Sequence, residues 1–116
     1  MIINLAVNAR EAMLNGGSLV IETSNRTVHR PMEVQGESVE AGEYVVLSVS
    51  DTGMGISADD LPHIFEPFFT TKEVGSGTGL GLSTVYGIVT QTGGHIFVES
   101  AGPGKGARFT IYFRRD

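Results

Sequence analysis

Two asparagines near the start of the chain are spaced so that both can act on one ligand. Asn4 and Asn8 stand one helical turn apart in NLAVNAREAM, so in a helix both amides project from the same face. A carboxamide oxygen is a hard ligand, suited to a Mg²⁺ ion that takes its other ligands from water and phosphate. Taken alone, the pair is explained more simply as surface asparagines, although asparagine is a weak helix former.

An aspartate flanked by glycines is the second candidate. In DTGMGI, Asp51 follows a β-branched, strand-like segment and precedes Gly53 and Gly55. An Asx turn at the end of a strand explains the pattern as well as any function does. In the functional alternative the carboxylate accepts a hydrogen bond from a ligand amino group, and the glycines let a flat ring lie against the backbone.

The glycine-rich run GSGTGLG, residues 75–81, leads directly into an apolar helical segment. Glycines before a helix N-terminus leave unpaired N–H groups at the positive end of the helix dipole, which suits phosphate. The run lacks the spacing of a Walker A loop or of a dinucleotide fingerprint. A flexible linker is the alternative, but the apolar helix that follows at once favours phosphate binding.

The segment between these motifs combines aromatic residues with one lysine. Phe65, Pro67, Phe68 and Phe69 are expected to pack under a loop and to anchor a lid, whose polar part is TTK at residues 70–72. Lys72 is either an exposed lysine or a mobile countercharge to a phosphate. The histidines at 29, 63 and 95 share no spacing, and we interpret them as structural or surface residues.

Composition limits the class of protein. The chain has 116 residues, the size of one domain, with 41% hydrophobic residues and a formal charge of −5, so it offers no basic footprint for nucleic acid. It has no cysteine, which excludes disulfides and thiol chemistry. It has no apolar run long enough to span a membrane, which predicts a cytoplasmic protein without direct membrane contact, or the cytoplasmic part of a larger sensor.

Periodicity and turn residues predict the elements that position these motifs. Helices are expected at residues 2–14, from about 57 to 65 and at 80–92, and strands at 18–23 with a possible continuation to 28, 43–50, 95–100 and 107–114. Residues 29–42 lack periodicity and are interpreted as a surface excursion, and 66–78 as a loop. The order predicts a single α/β (α+β) domain: a two-layer sandwich with helices on one face of a mixed, largely antiparallel sheet.

Four segments in this order resemble the catalytic, ATP-binding domain of bacterial sensor histidine kinases, some of them hybrids with a receiver domain. NLAVNAREAM resembles the N box, DTGMGI the G1 box, IFEPFFTTK the F box and GTGLGLS the G2 box. The resemblance covers nearly the whole chain and implies the Bergerat fold. It also implies an N-terminal truncation, because the family's first strand and the first turns of its N-box helix would precede Met1.

The resemblance assigns roles to residues of both glycine motifs and of the N box. Asn8 would coordinate the Mg²⁺ on the ATP phosphates with support from Asn4, and Asp51 would accept a hydrogen bond from the adenine amino group. Asn8 and Lys72 would be the catalytic residues. The further residues implied for binding ATP are Gly53, Gly55, Ile56, Phe68, Thr71, Gly77, Thr78, Gly79, Leu80, Gly81 and Leu82.

Two positions depart from related patterns. The ATP-hydrolysing relatives of these kinases carry a glutamate general base where this chain has Asn4, and an amide takes no proton, so ATP hydrolysis is expected to be slow. Ala107 follows Gly106 where the kinases often have threonine, which removes a polar contact from the expected adenine pocket. Because hydrolysis is expected to be slow, the γ-phosphoryl group of ATP would be transferred to a histidine imidazole and not to water.

None of the three histidines fits the family's phosphoacceptor motif, so the resemblance implies a separate phosphoacceptor and dimerisation domain, with a response regulator as an indirect partner. The alternatives are an ATPase module of the gyrase or chaperone type, or a non-catalytic regulatory module that binds nucleotide. A missing first strand would expose a sheet edge, which predicts a possible homodimer.

Overall fold

The computed structural model describes residues 17–53, 55–66 and 81–115. Its main sheet has four antiparallel strands in the order β1-β4-β6-β5, and β2 and β3 form a separate two-stranded hairpin. The strands are β1 (Leu19–Val28), β2 (Met32–Val34), β3 (Glu37–Val39), β4 (Gly42–Asp51), β5 (His95–Glu99) and β6 (Ala107–Arg114). A 3₁₀ helix spans Leu61–His63, and one α-helix, α1, spans Gly81–Gln91.

One face of the main sheet packs against α1. Alternate residues of β4, β5 and β6 point to this face, because successive side chains of a strand point to opposite faces. Val85 and Val89 of α1 are fully buried against them. The buried cluster comprises Leu47, Val49, Ile64, Val85, Val89, Ile96, Val98, Phe109 and Ile111. This helix face of the sheet was predicted from periodicity, and the α+β arrangement with a helix on one face is confirmed.

The helix α1 ends at Gln91, one residue before the predicted end at 92, and the glycine pair at 93 and 94 closes it. The N–H of Gly94 donates to the carbonyl of Val89 at 3.0 Å, and that of Gly93 donates to the carbonyl of Thr90 at 3.1 Å. Gly93 has a φ of +78°, so the pair forms a Schellman motif, in which a left-handed residue stops the helix. The bond pattern turns the chain directly into β5, which fixes where α1 lies on the sheet.

The opposite face of the sheet is covered by the β2–β3 hairpin. Val28, Val39, Tyr44, Phe97 and Tyr112 form its buried cluster, with Met32, Val34 and Val46 packed against it. The prediction that residues 29–42 are an irregular surface excursion is therefore wrong, since this segment forms two paired strands and buries Val39 completely. Strands of three residues are too short to show a period, which is why the pattern was missed.

Most other predicted elements are confirmed with small shifts of their ends. The longer version of the first strand is correct, because β1 reaches Val28. The short helix expected from 57 to 65 is instead a turn followed by the 3₁₀ helix at Leu61–His63. Ser57 accepts hydrogen bonds from the N–H of Asp60, through its side chain at 3.3 Å and its carbonyl at 3.1 Å. The helix expected at 2–14 and the loop over 67–78 lie outside the described residues.

Candidate functional site

Asp51 is the last residue of β4 and lies at the end of the sheet's helix face. Its Oδ1 accepts a hydrogen bond from the N–H of Gly53 at 2.8 Å, so the predicted Asx turn is present. An ionised carboxylate offers about four lone-pair sites on two oxygens, and the turn uses one of them. The half-buried side chain therefore keeps capacity to accept a hydrogen bond from a ligand.

The glycine loop after Asp51 packs backbone to backbone against the turn between β5 and β6. A Cβ on Gly106 would lie 2.1 Å from the carbonyl oxygen of Asp51, and a Cβ on Gly55 would lie 2.2 Å from that of Gly102. The N–H of Gly106 also donates to the carbonyl of Gly53 at 3.2 Å. Only glycine permits an approach this close, so the loop after Asp51 and the β5–β6 turn form two walls of backbone in direct contact.

The hydroxyl of Ser100 joins the two loops. It accepts a hydrogen bond from the N–H of Ile56 at 2.9 Å and donates to the carbonyl of Gly106 at 2.7 Å. The N–H of Gly102 approaches the same oxygen at 3.3 Å. A hydroxyl donates once and accepts twice, so these three partners use its whole capacity.

Apolar side chains lie between the loop after Asp51 and the helix-face cluster. Ile56 and Leu82, both predicted to bind the cofactor, are partly buried against the helix-face cluster. Phe65 stacks on Tyr86 with ring centroids 5.1 Å apart and meets Phe109 edge-on at 6.3 Å. Phe65 thus packs against α1 and β6, and the carboxylate of Asp51 lies at the end of the face that this apolar surface covers. The predicted packing of Pro67, Phe68 and Phe69 under a loop lies outside the described residues.

The strand register places Ala107 directly opposite Asp51 in the β4–β6 pairing. The position where the resembling kinases often carry threonine is therefore next to the carboxylate, and alanine offers no hydroxyl there. An open pocket of about 370 Å³ lies at this end of the sheet and borders Asp51 and Ala107. Its lining also includes Ser50 and Arg108, whose side chains point to the face opposite to Asp51, so the pocket lies toward that opposite face. On its rim, Nε of Arg108 donates to the hydroxyl of Ser50 at 3.0 Å.

Part of the predicted site lies within the described residues. Asp51, Gly53, Gly55 and Ile56 lie together in one loop, Gly81 begins α1, and Leu82 packs on the same core. The remaining predicted site residues lie outside the described residues and have no place in this geometry; they are Asn4, Asn8, Phe68, Thr71, Lys72, Gly77, Thr78, Gly79 and Leu80.

Neither a membrane span nor an acidic metal site occurs in the described parts of the chain. No helix there is long and apolar enough to cross a membrane. No group of three or more histidine, aspartate or glutamate side chains there could hold a metal ion. A metal site of carboxylates is thus not found at residues 17–53, 55–66 or 81–115, and the predicted ligand Asn8 precedes them.

The site combines three features: an aspartate at the end of an antiparallel sheet, glycine backbone packed beside it, and an apolar helix on the same face of the sheet. Together these features are typical of a class of nucleotide-binding α+β domains. The sequence pattern of the family "Histidine kinase-, DNA gyrase B-, and HSP90-like ATPase" matches residues 1–116. The chain belongs to this family. The predicted family and its ATP-binding domain are thereby confirmed.

Individual relatives are sensor kinases. The chain is 53% identical over 113 residues to the sensor kinase CckA of Brucella abortus, which covers 97% of this chain but only 12% of that protein. Among solved structures, a mycobacterial sensor histidine kinase, MprB, superposes with a TM-score of 0.70 at 25% identity, covering 97% of this chain and 66% of that one. Full-length ShkA in complex with AMPPNP superposes with a TM-score of 0.64 at 28% identity, covering 95% and 20%.

Sequence patterns alone missed the contribution of the β5–β6 turn. The residues between the last two predicted strands, GPGKG at 102–106, form the turn of a hairpin, since β5 pairs with β6. The glycines of this turn also pack directly against the backbone of the loop after Asp51, and Ser100 joins the turn to that loop. The available signal was the density of glycine, three in the five residues 102–106, which exceeds what a simple hairpin turn requires.

Proposed function

We propose that the chain is the ATP-binding catalytic domain of a two-component sensor histidine kinase and acts as one domain over residues 1–116. The observation that carries this proposal is the half-buried carboxylate of Asp51, held by the N–H of Gly53 beside a wall of glycine backbone. A flat base fits against bare backbone, and a carboxylate at its edge accepts from an amino group. Membership of the ATPase family and the sensor-kinase relatives support the same conclusion.

In this function the residues of the chain position ATP and neutralise its charge. Asp51 holds the adenine amino group, Ile56 and Leu82 provide apolar contact, and the backbone of residues 77–82 with Thr71 and Lys72 holds the phosphates. Asn8, supported by Asn4, is proposed to hold Mg²⁺, which neutralises the phosphate charge when bound. Lys72 offers a second positive charge at the phosphates of an otherwise acidic protein.

The proposed reaction moves the γ-phosphoryl group to a histidine on a separate domain. An imidazole nitrogen of that histidine attacks the γ-phosphorus, an N–P bond forms, and the bond to the β-phosphate oxygen breaks to release ADP. The histidine then passes the phosphoryl group to a response regulator. Because ATP and such partners are cytoplasmic, we propose that the domain works there. The amide at position 4 of the sequence, Asn4, is no general base for water, which favours transfer over hydrolysis.

Replacing Asp51 by asparagine tests the proposal. Asp51→Asn exchanges one acceptor oxygen for an NH₂ group that opposes the adenine amino group, so affinity for ATP should fall by about 10- to 100-fold, the range of a lost hydrogen bond to a charged group. Calorimetric titration with a non-hydrolysable ATP analogue, with and without Mg²⁺, measures this change. GTP should bind the wild type weakly, because guanine presents a carbonyl oxygen where adenine presents its amino group.

The matched control is Asp59→Asn, which removes the same charge from an exposed position in the turn before the 3₁₀ helix and should leave affinity unchanged. Equal ATP affinity in the wild type and Asp51→Asn would contradict the assignment of the base pocket. Rapid phosphate release from ATP by the chain alone would instead support an ATPase of the gyrase or chaperone type. Nucleotide binding without transfer to an added phosphoacceptor domain would support a regulatory module.

A further inference from the structure

The loop after Asp51 is held by a side chain outside the four sequence motifs. Ile56, at the end of the DTGMGI motif, donates its N–H to the hydroxyl of Ser100 at 2.9 Å, across 44 residues of sequence. Ser100 is half-buried and follows the last residue of β5. A residue of the β5 edge of the sheet therefore fixes the loop that follows the central strand β4.

The same hydroxyl fixes the turn that faces this loop. It donates to the carbonyl of Gly106 at 2.7 Å, while the alternative acceptor, the carbonyl of Gly102, lies farther away at 3.4 Å. Gly106 is buried, and its N–H donates to the carbonyl of Gly53. Ser100 thus holds both walls at once, the loop after Asp51 through the N–H of Ile56 and the β5–β6 turn through the carbonyl of Gly106.

Close packing makes the arrangement sensitive to small shifts. The backbone of Gly55 and Gly106 approaches the opposite wall so closely that a Cβ on either would overlap a carbonyl oxygen. If the Ser100 hydroxyl is removed, the N–H of Ile56 and the carbonyl of Gly106 lose their partner and regain hydrogen bonds only by moving toward water. That movement separates the two walls beside Asp51.

We propose that Ser100 is a positioning residue for the adenine pocket: its hydroxyl holds Gly53, Gly55 and Ile56 in the conformation that receives the base. Since this role concerns the same pocket, it rests on the proposed binding of an adenine nucleotide. Ser100 acts through the backbone of Ile56 and Gly106. Ser100 therefore affects binding of the base. It does not affect binding of the phosphates, which the chain would hold at other residues.

The variant Ser100→Ala separates this role from a general loss of stability. In the variant the binding-competent loop is only a fraction of the population, and the apparent dissociation constant rises by the inverse of that fraction. Leaving two donors, the N–H groups of Ile56 and Gly102, and one acceptor, the carbonyl of Gly106, without this hydroxyl predicts about tenfold weaker binding of ADP. Binding of inorganic tripolyphosphate, which has no base, should change by less than about twofold, because it does not depend on this loop.

The control is Ser50→Ala, one residue before Asp51. The hydroxyl of Ser50 accepts from Arg108, and Ser50 points to the face of the sheet opposite to Asp51, so binding of both probes should stay at the wild-type level. Calorimetric titrations of the wild type and both variants, with ADP and with tripolyphosphate in the presence of Mg²⁺, give the comparison. Unchanged ADP affinity in Ser100→Ala, or equal losses for ADP and tripolyphosphate, would overturn the proposal.

Two measurements on the wild-type chain separate the role of Ser100 from the proposed function and cover the case in which the variant does not fold. If it fails to bind ADP at all, the proposed function fails, whereas normal binding with an unaffected Ser100→Ala variant removes only the role of Ser100. If Ser100→Ala does not fold, amide hydrogen exchange of the wild type decides. The Ile56 amide should be protected without nucleotide and more protected with ADP, and rapid exchange in the nucleotide-free protein would refute the role of Ser100.

Discussion

The two faces of the main sheet are both covered, but by different kinds of contact. On the helix face, α1 packs aliphatic side chains such as Val85 and Val89 onto the strands. On the hairpin face, aromatic rings carry the contact: Tyr112 meets Tyr44 at 5.7 Å and Phe97 at 5.8 Å, both edge-on. The helix face leads to Asp51, and the hairpin face is centred at the other end of β4.

Polar contacts sharpen the difference between the two faces. Nη1 of Arg26 donates to the hydroxyl of Tyr112 at 2.6 Å, and Nδ1 of His95 lies 2.7 Å from Oε1 of Glu37. These pairs join side chains to side chains, whereas the walls beside Asp51 are joined through backbone groups and one serine. Side-chain pairs tolerate substitution by local adjustment, but backbone walls in contact do not. The site end should therefore be the less tolerant one.

Distance also separates the two regions. Tyr44 and Asp51 are seven residues apart in the same strand, which corresponds to roughly 23 Å at about 3.3 Å per residue. The hairpin face thus contributes to the stability of the fold without touching the proposed nucleotide. Changes at the two regions should act on different measured quantities, stability in one case and nucleotide affinity in the other.

The largest effect on stability is expected from Phe97→Ala. Phe97 is 4% exposed in the hairpin-face cluster, and truncating a buried phenylalanine costs about 3–5 kcal/mol of unfolding free energy. Urea unfolding measures the loss, and Val20→Ala, on an exposed part of β1, serves as the control with an expected loss below about 1 kcal/mol. The affinity of the folded fraction for ADP should not change. A tenfold weaker affinity would show that the two regions are coupled.

A smaller loss of stability with a larger loss of binding is expected from Gly106→Ala. Its φ of +73° costs alanine about 1–2 kcal/mol, and the added Cβ meets the carbonyl of Asp51, so the wall must move. Gly104→Ala is the matched control, because Gly104 has a φ of +77° and nothing within 4 Å of an added Cβ. Chemical unfolding and ADP titration of both variants compare them. Equal ADP affinity in the two would contradict the importance of close contact.

The smallest effect is expected from Gln35→Ala in the hairpin. Nε2 of Gln35 donates to the carbonyl of Val98 on the edge strand β5 at 2.7 Å, a bond that contributes about 1 kcal/mol. Thermal unfolding should show a loss of this size, and Ser38→Ala, at an exposed hairpin position, should show less. Nucleotide affinity should stay at the wild-type level. No loss on Gln35→Ala would mean that the hairpin is held by its apolar contacts alone.

Much of the fold followed from local patterns in the sequence. The periodicity of Leu82, Val85 and Val89 predicted α1, and alternation predicted β5 and β6, because burial on one face imposes the period of each element. The hairpin at 32–39 was missed because the cluster that buries Val39 and half-buries Val34 is completed by Phe97 and Tyr112, more than 50 positions away in β5 and β6. Such contacts leave no local period.

The site divides in the same way. The sequence by itself determined which residue types are present: an aspartate followed by glycines, an apolar helix behind a glycine run, and too few basic residues for an anion site built from charge alone. These follow from side-chain chemistry and backbone freedom, which belong to each residue wherever it lies. They sufficed to predict the family, which is confirmed, whereas the role of Asp51 stays a prediction.

Only the tertiary structure decided what holds that aspartate's loop in place. The pairing of β4 with β6 brings Gly106 against the carbonyl of Asp51 and places Ala107 opposite it. The pairing of β5 with β6 then brings Ser100 within hydrogen-bonding distance of Ile56. The register of a sheet is set by how both faces bury their apolar side chains together, so these neighbours depend on the packing of the whole domain and are absent from any local stretch of sequence.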